Sequence, residues 1–139
     1  MSNWIIPYIS FNGNCAEAVK FYQSILGGES QILRFGDVPP NPKFPPVPED
    51  MKNLVMHAEL RKNGHIIRFS DTLPHAPSTL GNAISFSIEC ANQEETKTVF
   101  AGLAAGGSVD MELEPTFFSP LYGRCIDKFG ITWQVATKP

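Results

Sequence analysis

The chain has 139 residues, of which 42% are hydrophobic, and its 11 Lys and Arg against 14 Asp and Glu give a formal net charge of -3. This length is typical of a single domain that can bury a core, and the lack of a basic cluster along the chain argues against nucleic acid as a partner. No apolar run reaches the roughly 18 residues of a membrane span, and residues 1–10 lack the basic leader and long apolar region of a signal peptide, so we expect a cytoplasmic protein without membrane contact.

The three cysteines are too few and too scattered to define a disulfide framework or a zinc site. They stand at Cys15, Cys90 and Cys125, and no two of them form a Cys-X-X-Cys pair. We expect all three to be buried as small hydrophobic residues.

The start of the chain predicts a strand followed by an amphipathic helix. Residues 4–11 form a β-prone run. Asn14 stands three residues before Glu17, the spacing at which the Asn side chain caps a helix and the Glu side chain bonds back. Gly27 and Gly28 can take the left-handed conformation that closes it. Helical spacing gives the apolar face Cys15, Ala18, Val19, Tyr22 and Leu26.

A long loop and a hairpin complete the first half of the chain. Residues 34–53 hold six of the twelve prolines, which excludes a central strand and predicts a long surface loop. This loop is either an ordinary connection or, because loops of such length are often functional, a lid or a subunit contact. Residues 54–62 and 65–71 predict two strands joined by a tight Asn63-Gly64 turn.

The second half repeats the first at a shift of 79 residues, which lays Ile9 on Ile88 and Phe21 on Phe100. A strand over residues 83–90 is followed by a helix whose apolar face holds Val99, Phe100 and Leu103. Its predicted cap is Asn92 with Glu95, and its predicted end is Gly106-Gly107. A hairpin over residues 121–127 and 131–137, with its turn at 128–130, completes a second β-α-β-β-β order.

The Asn63-Gly64 turn fixes the register of the first hairpin. A two-residue turn pairs Lys62 with His65, and counting back from this pair sets Glu59 opposite Arg68. Paired residues point to the same face of the sheet. One face is therefore apolar and suited to packing under the helix, with Ala58, Leu60, Ile67 and Phe69.

The other face of this hairpin is polar and carries His57, Glu59, Arg68 and Ser70. Two interpretations remain open. The face is simply solvated, with Glu59 and Arg68 forming a cross-strand pair of modest value. Alternatively, the sheet curves and this face lines a cup in which a base, an acid and a guanidinium stand side by side.

Several motifs, in order along nearly the whole chain, resemble landmarks of PhnB-like proteins. They are PYISFNGNCAEAVKFYQSILGGE, RFGD, MHAELR, FSD and DKFGITWQV. These proteins are a branch of the glyoxalase, bleomycin resistance and dioxygenase superfamily, also called the vicinal oxygen chelate superfamily. The resemblance implies one α+β domain of two βαβββ modules, about 1–75 and 80–139, whose mixed sheets curl around a cleft, usually in a homodimer.

Metal-dependent members of the superfamily hold a divalent ion with His and Glu at four inward positions. The matching positions in this chain are Pro7 or Tyr8, Arg68, a residue within 83–85, and Gln134. Arg68 stays protonated and cannot bind a cation, and none of the other residues is a His, Asp, Glu or Cys. The resemblance therefore implies a chain without the superfamily's metal or any other cofactor. His57 and Glu59 could still supply two ligands elsewhere in the cup.

Proteins of this family often carry a 3-demethylubiquinone methyltransferase name. The sequence gives that activity little support, because no Gly-rich turn follows a strand in the manner of a methyl-donor site. The predicted sheet order is also not the doubly wound kind that hosts such sites. Methyl transfer is therefore the last of the candidate functions.

Three further functions remain open. The first is binding of a small organic ligand in a metal-free cup, with polar contacts from Arg68, Ser70 and Gln134. The second is an enzyme of the lyase, isomerase or dioxygenase type, with His57 as general base, Glu59 as its orienting partner and Arg68 stabilising an oxyanion. The third is a structural or stress protein that mainly dimerises. Candidate walls of the ligand site are Tyr8, Phe86, Phe117, Phe118, Tyr122 and Trp133.

Overall fold

The computed structural model describes residues 4–43 and 45–139 and divides the chain into two compact units. The first unit ends at Ser78 and the second begins at Thr79. Among the described residues, each unit contains one α-helix and one four-stranded mixed sheet in the order β-α-β-β-β, and the first unit also has two short 3-10 helices, Phe35–Asp37 and Glu49–Met51. The predicted α+β class and the predicted order of elements are confirmed.

The first unit has its strands in the spatial order β1-β4-β3-β2. Strand β1 runs parallel to β4, and the other neighbours are antiparallel. The first strand begins at Tyr8, four residues later than the β-prone run predicted. The elements are β1 Tyr8–Phe11, α1 Cys15–Leu26, β2 Glu29–Arg34, β3 Val55–Lys62 and β4 His65–Asp71.

The second unit has the same topology, with the order β5-β8-β7-β6 and with β5 parallel to β8. Its first strand also begins later than predicted, at Phe86. The shared topology agrees with the duplication inferred from the sequence. The elements are β5 Phe86–Cys90, α2 Gln93–Ala104, β6 Ser108–Glu114, β7 Tyr122–Ile126 and β8 Thr132–Thr137.

Helix α1 packs on its sheet through the predicted face. Tyr22 is fully buried and stacks on Phe69 of β4, with ring centroids 6.0 Å apart. Leu26 is only half-buried, because it stands at the end of the helix. The three cysteines are free and buried, as predicted, and burial raises the pKa of the Cys15 thiol to about 12. The fully buried residues of α1 are Cys15, Ala18, Val19 and Tyr22.

The predicted cap of α1 is wrong. Asn14 makes no side-chain capping bond. Instead, Asp71 at the end of β4 accepts the backbone N–H groups of Gly13 and Cys15 through one oxygen, at 2.9 and 3.0 Å. Its other oxygen accepts the N–H of Val55 at 2.8 Å. A carboxylate from a distant strand thus satisfies the open amides at the start of the helix and connects them to β3.

Helix α2 begins as predicted and ends differently. The Asn92 side chain accepts the N–H of Glu95 at 2.9 Å, which confirms the capping bond. The helix ends at Ala104, and Ala105 separates it from Gly106, which has a positive φ of 78°. Val99, Phe100 and Leu103 are buried as predicted, together with Thr96, whose hydroxyl lies 2.6 Å from that of Thr137 in β8.

The first hairpin has the predicted turn and register. Asn63 and Gly64 have φ values of 52° and 81°, both positive, as a two-residue turn of this kind requires. Lys62 pairs with His65, and the ladder continues to Ala58 and Phe69.

The proline-rich loop is exposed and fastened at its base. The Arg34 guanidinium donates to the Asn53 carbonyl at 2.7 Å, and the N–H of Gly36 donates to the Lys52 carbonyl at 2.9 Å. Residues 38–43 and 45–50 are exposed apart from half-buried Val47, which confirms a surface loop. Within the residues that the structure describes, no helix has the length and apolar character needed to cross a membrane.

Candidate functional site

The first sheet has a polar face on the side away from α1, and the strand register decides which residues belong to it. Glu59 pairs with Arg68 in β4 and with Gln31 in β2, while Tyr8 in β1 pairs with Arg68. Because paired residues point the same way and neighbours along a strand alternate, His57 and Ser70 lie on this face too. The full polar face is Tyr8, Ser10, Glu29, Gln31, Leu33, His57, Glu59, Arg61, Ile66, Arg68 and Ser70.

Glu59 is the centre of this polar face. The Nε of Arg61 donates to one carboxylate oxygen at 2.8 Å, and the Nε of Arg68 donates to the other at 3.2 Å. The Nε2 of His57 lies 3.6 Å from the second oxygen, which is too long for a hydrogen bond. Each arginine therefore holds the same carboxylate through its Nε, and only 9% of Glu59 remains exposed.

The electrostatics of the cluster keep Glu59 ionised. The hydrogen bond from Arg61 lowers the pKa of the Glu59 carboxyl, and burial raises it by a smaller amount. The contacts with Arg68 and His57 lower this pKa further. A carboxylate that accepts two charge-assisted bonds is favoured in its charged form. The cluster therefore contains two permanent positive charges and one negative charge.

Arg61 is a member of the cluster that the sequence reasoning missed. It stands two residues after Glu59, so the alternation of β3 places both on one face, and its Nε makes the shorter of the two arginine bonds. The period-two pattern that identified His57 and Glu59 would have identified Arg61 as well. Both oxygens of Glu59 accept bonds from arginines, and its role as the partner that orients His57 stays a prediction.

Two open concavities flank the cluster. One, of about 390 Å³, is lined by the β2 segment Gln31, Ile32 and Leu33 together with His57 and Glu59. The other, of about 500 Å³, lies at the hairpin end of the same sheet. It is lined by Gly28, Glu29, Arg61, Lys62, Asn63, Gly64, His65 and Ile66. Glu59 and His57 therefore border one concavity and Arg61 borders the other, whereas Arg68 lines neither.

The second sheet carries a different polar group on the face away from α2. The Tyr122 hydroxyl donates to Gln134 at 2.7 Å, and the Gln134 amide donates to the Ser85 hydroxyl at 2.8 Å. Gln134 pairs with Arg124 in β7. The Nε of Arg124 lies 2.9 Å from Asp110, but its N–H does not point at that oxygen, so the contact is an ion pair and not a hydrogen bond.

Two of the predicted wall residues lie on the wrong face of the second sheet. Trp133 is only 2% exposed, its Nε1 donates to Asp127 at 2.7 Å, and it shares the helix-facing side with Phe86. Trp133 and Gln134 are consecutive in β8, so their side chains point to opposite faces. Phe118 is half exposed and contacts Tyr122 edge to face, with ring centroids 5.1 Å apart.

The residues at the four superfamily positions do not fit a divalent metal. In the first unit the paired positions hold the Tyr8 phenol and the Arg68 guanidinium. In the second unit Gln134 pairs with Ser87, and its side-chain amide donates to the hydroxyl of Ser85, which lies within the predicted range 83–85. A guanidinium repels a cation, and an amide with a serine is a poor donor set for a transition metal. Among the residues described by the structure, no group of three His, Cys, Asp or Glu could hold a metal ion.

The fold defines the class of the protein. A glyoxylase/bleomycin resistance protein/dioxygenase domain from Frankia has a TM-score of 0.68 at 12% identity, over 100% of this chain and 93% of that chain. The fold is thus that of the glyoxalase and bleomycin resistance class. Within this class, the family model described as 3-demethylubiquinone-9 3-methyltransferase matches residues 3–136, and the chain belongs to that family.

Similar proteins agree with this family assignment. Protein YjdN of Escherichia coli is 32% identical over 135 residues, which cover 93% of this chain and 91% of that protein. A solved Pseudomonas aeruginosa protein is 38% identical, with a TM-score of 0.87 over 99% of this chain and 98% of that chain. A PhnB protein from Bacillus cereus is 29% identical, with a TM-score of 0.76 over 97% and 99%. The resemblance to PhnB-like proteins is confirmed.

Proposed function

We propose that the chain binds a small organic carboxylate on the polar face of the first sheet, with Arg68 as the cation that contacts the ligand. One observation carries the proposal: Arg68 is held by Glu59 through its Nε alone, and 38% of its side chain is exposed. In the described part of the chain, its terminal nitrogens have no hydrogen-bond partner. A guanidinium fork fixed in this way presents parallel donors to a carboxylate and stays charged at any physiological pH.

The surroundings of Arg68 favour a ligand with an apolar body. Tyr8, the neighbour of Arg68 in β1, is 52% exposed, and Leu33 on the same face is 39% exposed. An apolar body that covers these side chains would remove apolar surface from water, while Arg68 fixes the orientation. Ser70 remains a predicted polar contact on the same face. For the second unit taken by itself, Phe118, Tyr122 and Gln134 stay predicted ligand-contacting residues.

Substitution of Arg68 by methionine tests the proposal, with benzoate as the probe. Arg68→Met keeps the length of the side chain and removes the charge, so folding should be nearly unchanged. The affinity for benzoate, measured by NMR titration, should fall by more than about tenfold. Arg124→Met is the matched control. Arg124 lies on the face of the second sheet away from α2, and like Arg68 it contacts a carboxylate through its Nε. An unchanged affinity in Arg68→Met, or an equal loss in the control, would sink the proposal.

Proton transfer by His57 is a second candidate function. His57 is half-buried beside the concavity of about 390 Å³ and lies 3.6 Å from the Glu59 carboxylate. It could accept a proton from a ligand whose carbonyl oxygen contacts Arg68, as in an isomerase or lyase. Proton exchange at the carbon next to that carbonyl, followed by NMR in deuterated water, should then be lost in His57→Gln. Exchange that persists in this variant would exclude His57 as the base.

Methyl transfer, which the family name suggests, is the third candidate. The sheets of both units are mixed and four-stranded, unlike the doubly wound parallel sheets that commonly bind nucleotide-containing donors. We therefore derive no methyl-transfer step from the residues of this chain. The fourth possibility is a protein that mainly dimerises. Dimerisation by itself does not explain the Glu59 cluster.

A further inference from the structure

We propose that the Glu59 cluster selects ligands with a single negative charge over ligands with two. This inference rests on the proposed binding of an organic anion at Arg68. The selecting residue is Glu59, which lies between Arg61 and Arg68 and donates no hydrogen bond of its own. Its charge is a fixed part of the site, and any ligand that contacts the arginines must approach it.

The charge balance of the cluster carries this inference. Arg61 and Arg68 contribute two positive charges and Glu59 contributes one negative charge, so these three side chains together carry one positive charge. One carboxylate on the ligand cancels that charge. A second carboxylate would bring an uncompensated negative charge to a face that already carries the Glu59 carboxylate.

The charges at the hairpin end of the sheet leave this balance unchanged. Glu29 in β2 pairs with Arg61 and points to the same face, at the exposed edge of the sheet. Lys62 lines the same second concavity, and its positive charge offsets the negative charge of Glu29. The other residues that flank Arg68, namely Tyr8 and Ser70, carry no positive charge that could accept a second carboxylate.

Two probes of the same shape test the charge selection. They are 4-carbamoylbenzoate, with one carboxylate, and terephthalate, in which a second carboxylate replaces the amide. At low salt, the native protein should bind 4-carbamoylbenzoate roughly fivefold more tightly than terephthalate. In Glu59→Gln the cluster carries one more positive charge, and the preference should reverse. Glu17→Gln makes the same change of charge at an exposed position of α1. This variant should keep the native protein's preference for 4-carbamoylbenzoate.

A second variant keeps the test decisive if Glu59→Gln folds poorly. Arg61→Gln lowers the charge of the cluster by one and should weaken terephthalate binding more than 4-carbamoylbenzoate binding. Equal affinities for the two probes in the native protein, or a preference for terephthalate, would overturn the charge selection and leave the binding site in place. Failure of both probes to bind would overturn the proposed function together with the inference.

Discussion

Glu59 is the residue on which the polar face of the first sheet depends. Its two oxygens accept one arginine Nε each, so one side chain fixes the positions of two guanidinium groups. Without it, Arg61 and Arg68 would stand on the same face with like charges and no common acceptor. Removing one member of such a cluster leaves the others with unbalanced charge, and the effects of single substitutions should not be additive.

Substitution of Glu59 by glutamine should reduce the loss of stability in acid. Because the pKa of the folded-state carboxyl is lowered, its contribution is complete above the unfolded-state pKa and is lost as pH falls through the folded-state value. Urea unfolding across this acidic range should therefore show a shallower decline in Glu59→Gln than in the native protein. Glu17→Gln, which changes an exposed carboxyl, should decline like the native protein. Identical declines in all three proteins would contradict the assignment.

The residues of the first cluster were partly predictable from sequence. The Asn63-Gly64 turn sets the register, and the register alone brings Glu59 opposite Arg68. Arg61 was equally accessible to this reasoning and was overlooked. Trp133 and Gln134 are consecutive in β8, so their side chains point to opposite faces of the sheet. The alternation alone therefore excludes that both contact one ligand. The Nε contacts of both arginines, in contrast, depend on side-chain rotamers that a sequence pattern does not determine.

The starts of the two helices should respond differently to the same substitution. Asn92→Ala removes a bond to the N–H of Glu95 and should lower the free energy of unfolding by about 1 kcal/mol. Asn14→Ala removes no such bond, so it should change the free energy of unfolding by less than about 0.5 kcal/mol. Urea unfolding of the two variants measures the difference. A larger loss in Asn14→Ala would contradict the description of α1.

Local sequence could not reveal why these two helices differ. Asn14 and Asn92 have the same spacing to a following glutamate, and only the second accepts the capping bond. In the first unit, the carboxylate of Asp71 in β4 accepts the N–H groups of Gly13 and Cys15, not the N–H of Glu17 that a local cap would bind. This contact joins residues more than fifty positions apart, so no pattern within the helix predicts it. The order of the elements, by contrast, follows from periodicity and the positions of glycine and proline, although β1 and β5 begin later than the β-prone runs.

The two units have the same topology, but their polar faces carry different groups. The first polar face carries a carboxylate between two arginines, and the second carries an amide between a tyrosine and a serine. Arg68 and Gln134 occupy matching positions in the two last strands. A shared backbone plan therefore does not impose a shared site, and function has to be argued for each sheet from its own side chains.

We expect the protein to form a homodimer, as the family resemblance implies. Each four-stranded sheet ends in edge strands whose backbone groups invite pairing or coverage. Exposed apolar residues include Ile84 and Phe117, which an interface between two copies could cover. Light scattering at micromolar concentration should give the mass of two chains. The mass of one chain at that concentration would contradict this expectation.

The carboxylate of Asp71 has a consequence for the dynamics of the first unit. It binds the amides of Gly13, Cys15 and Val55, and of these Gly13 lies outside any helix or strand. A loop amide of this kind would ordinarily exchange its hydrogen with solvent deuterium within the dead time of an experiment. Because one side chain holds all three amides, they open together, and the Gly13 amide should exchange as slowly as that of Val55 in the sheet.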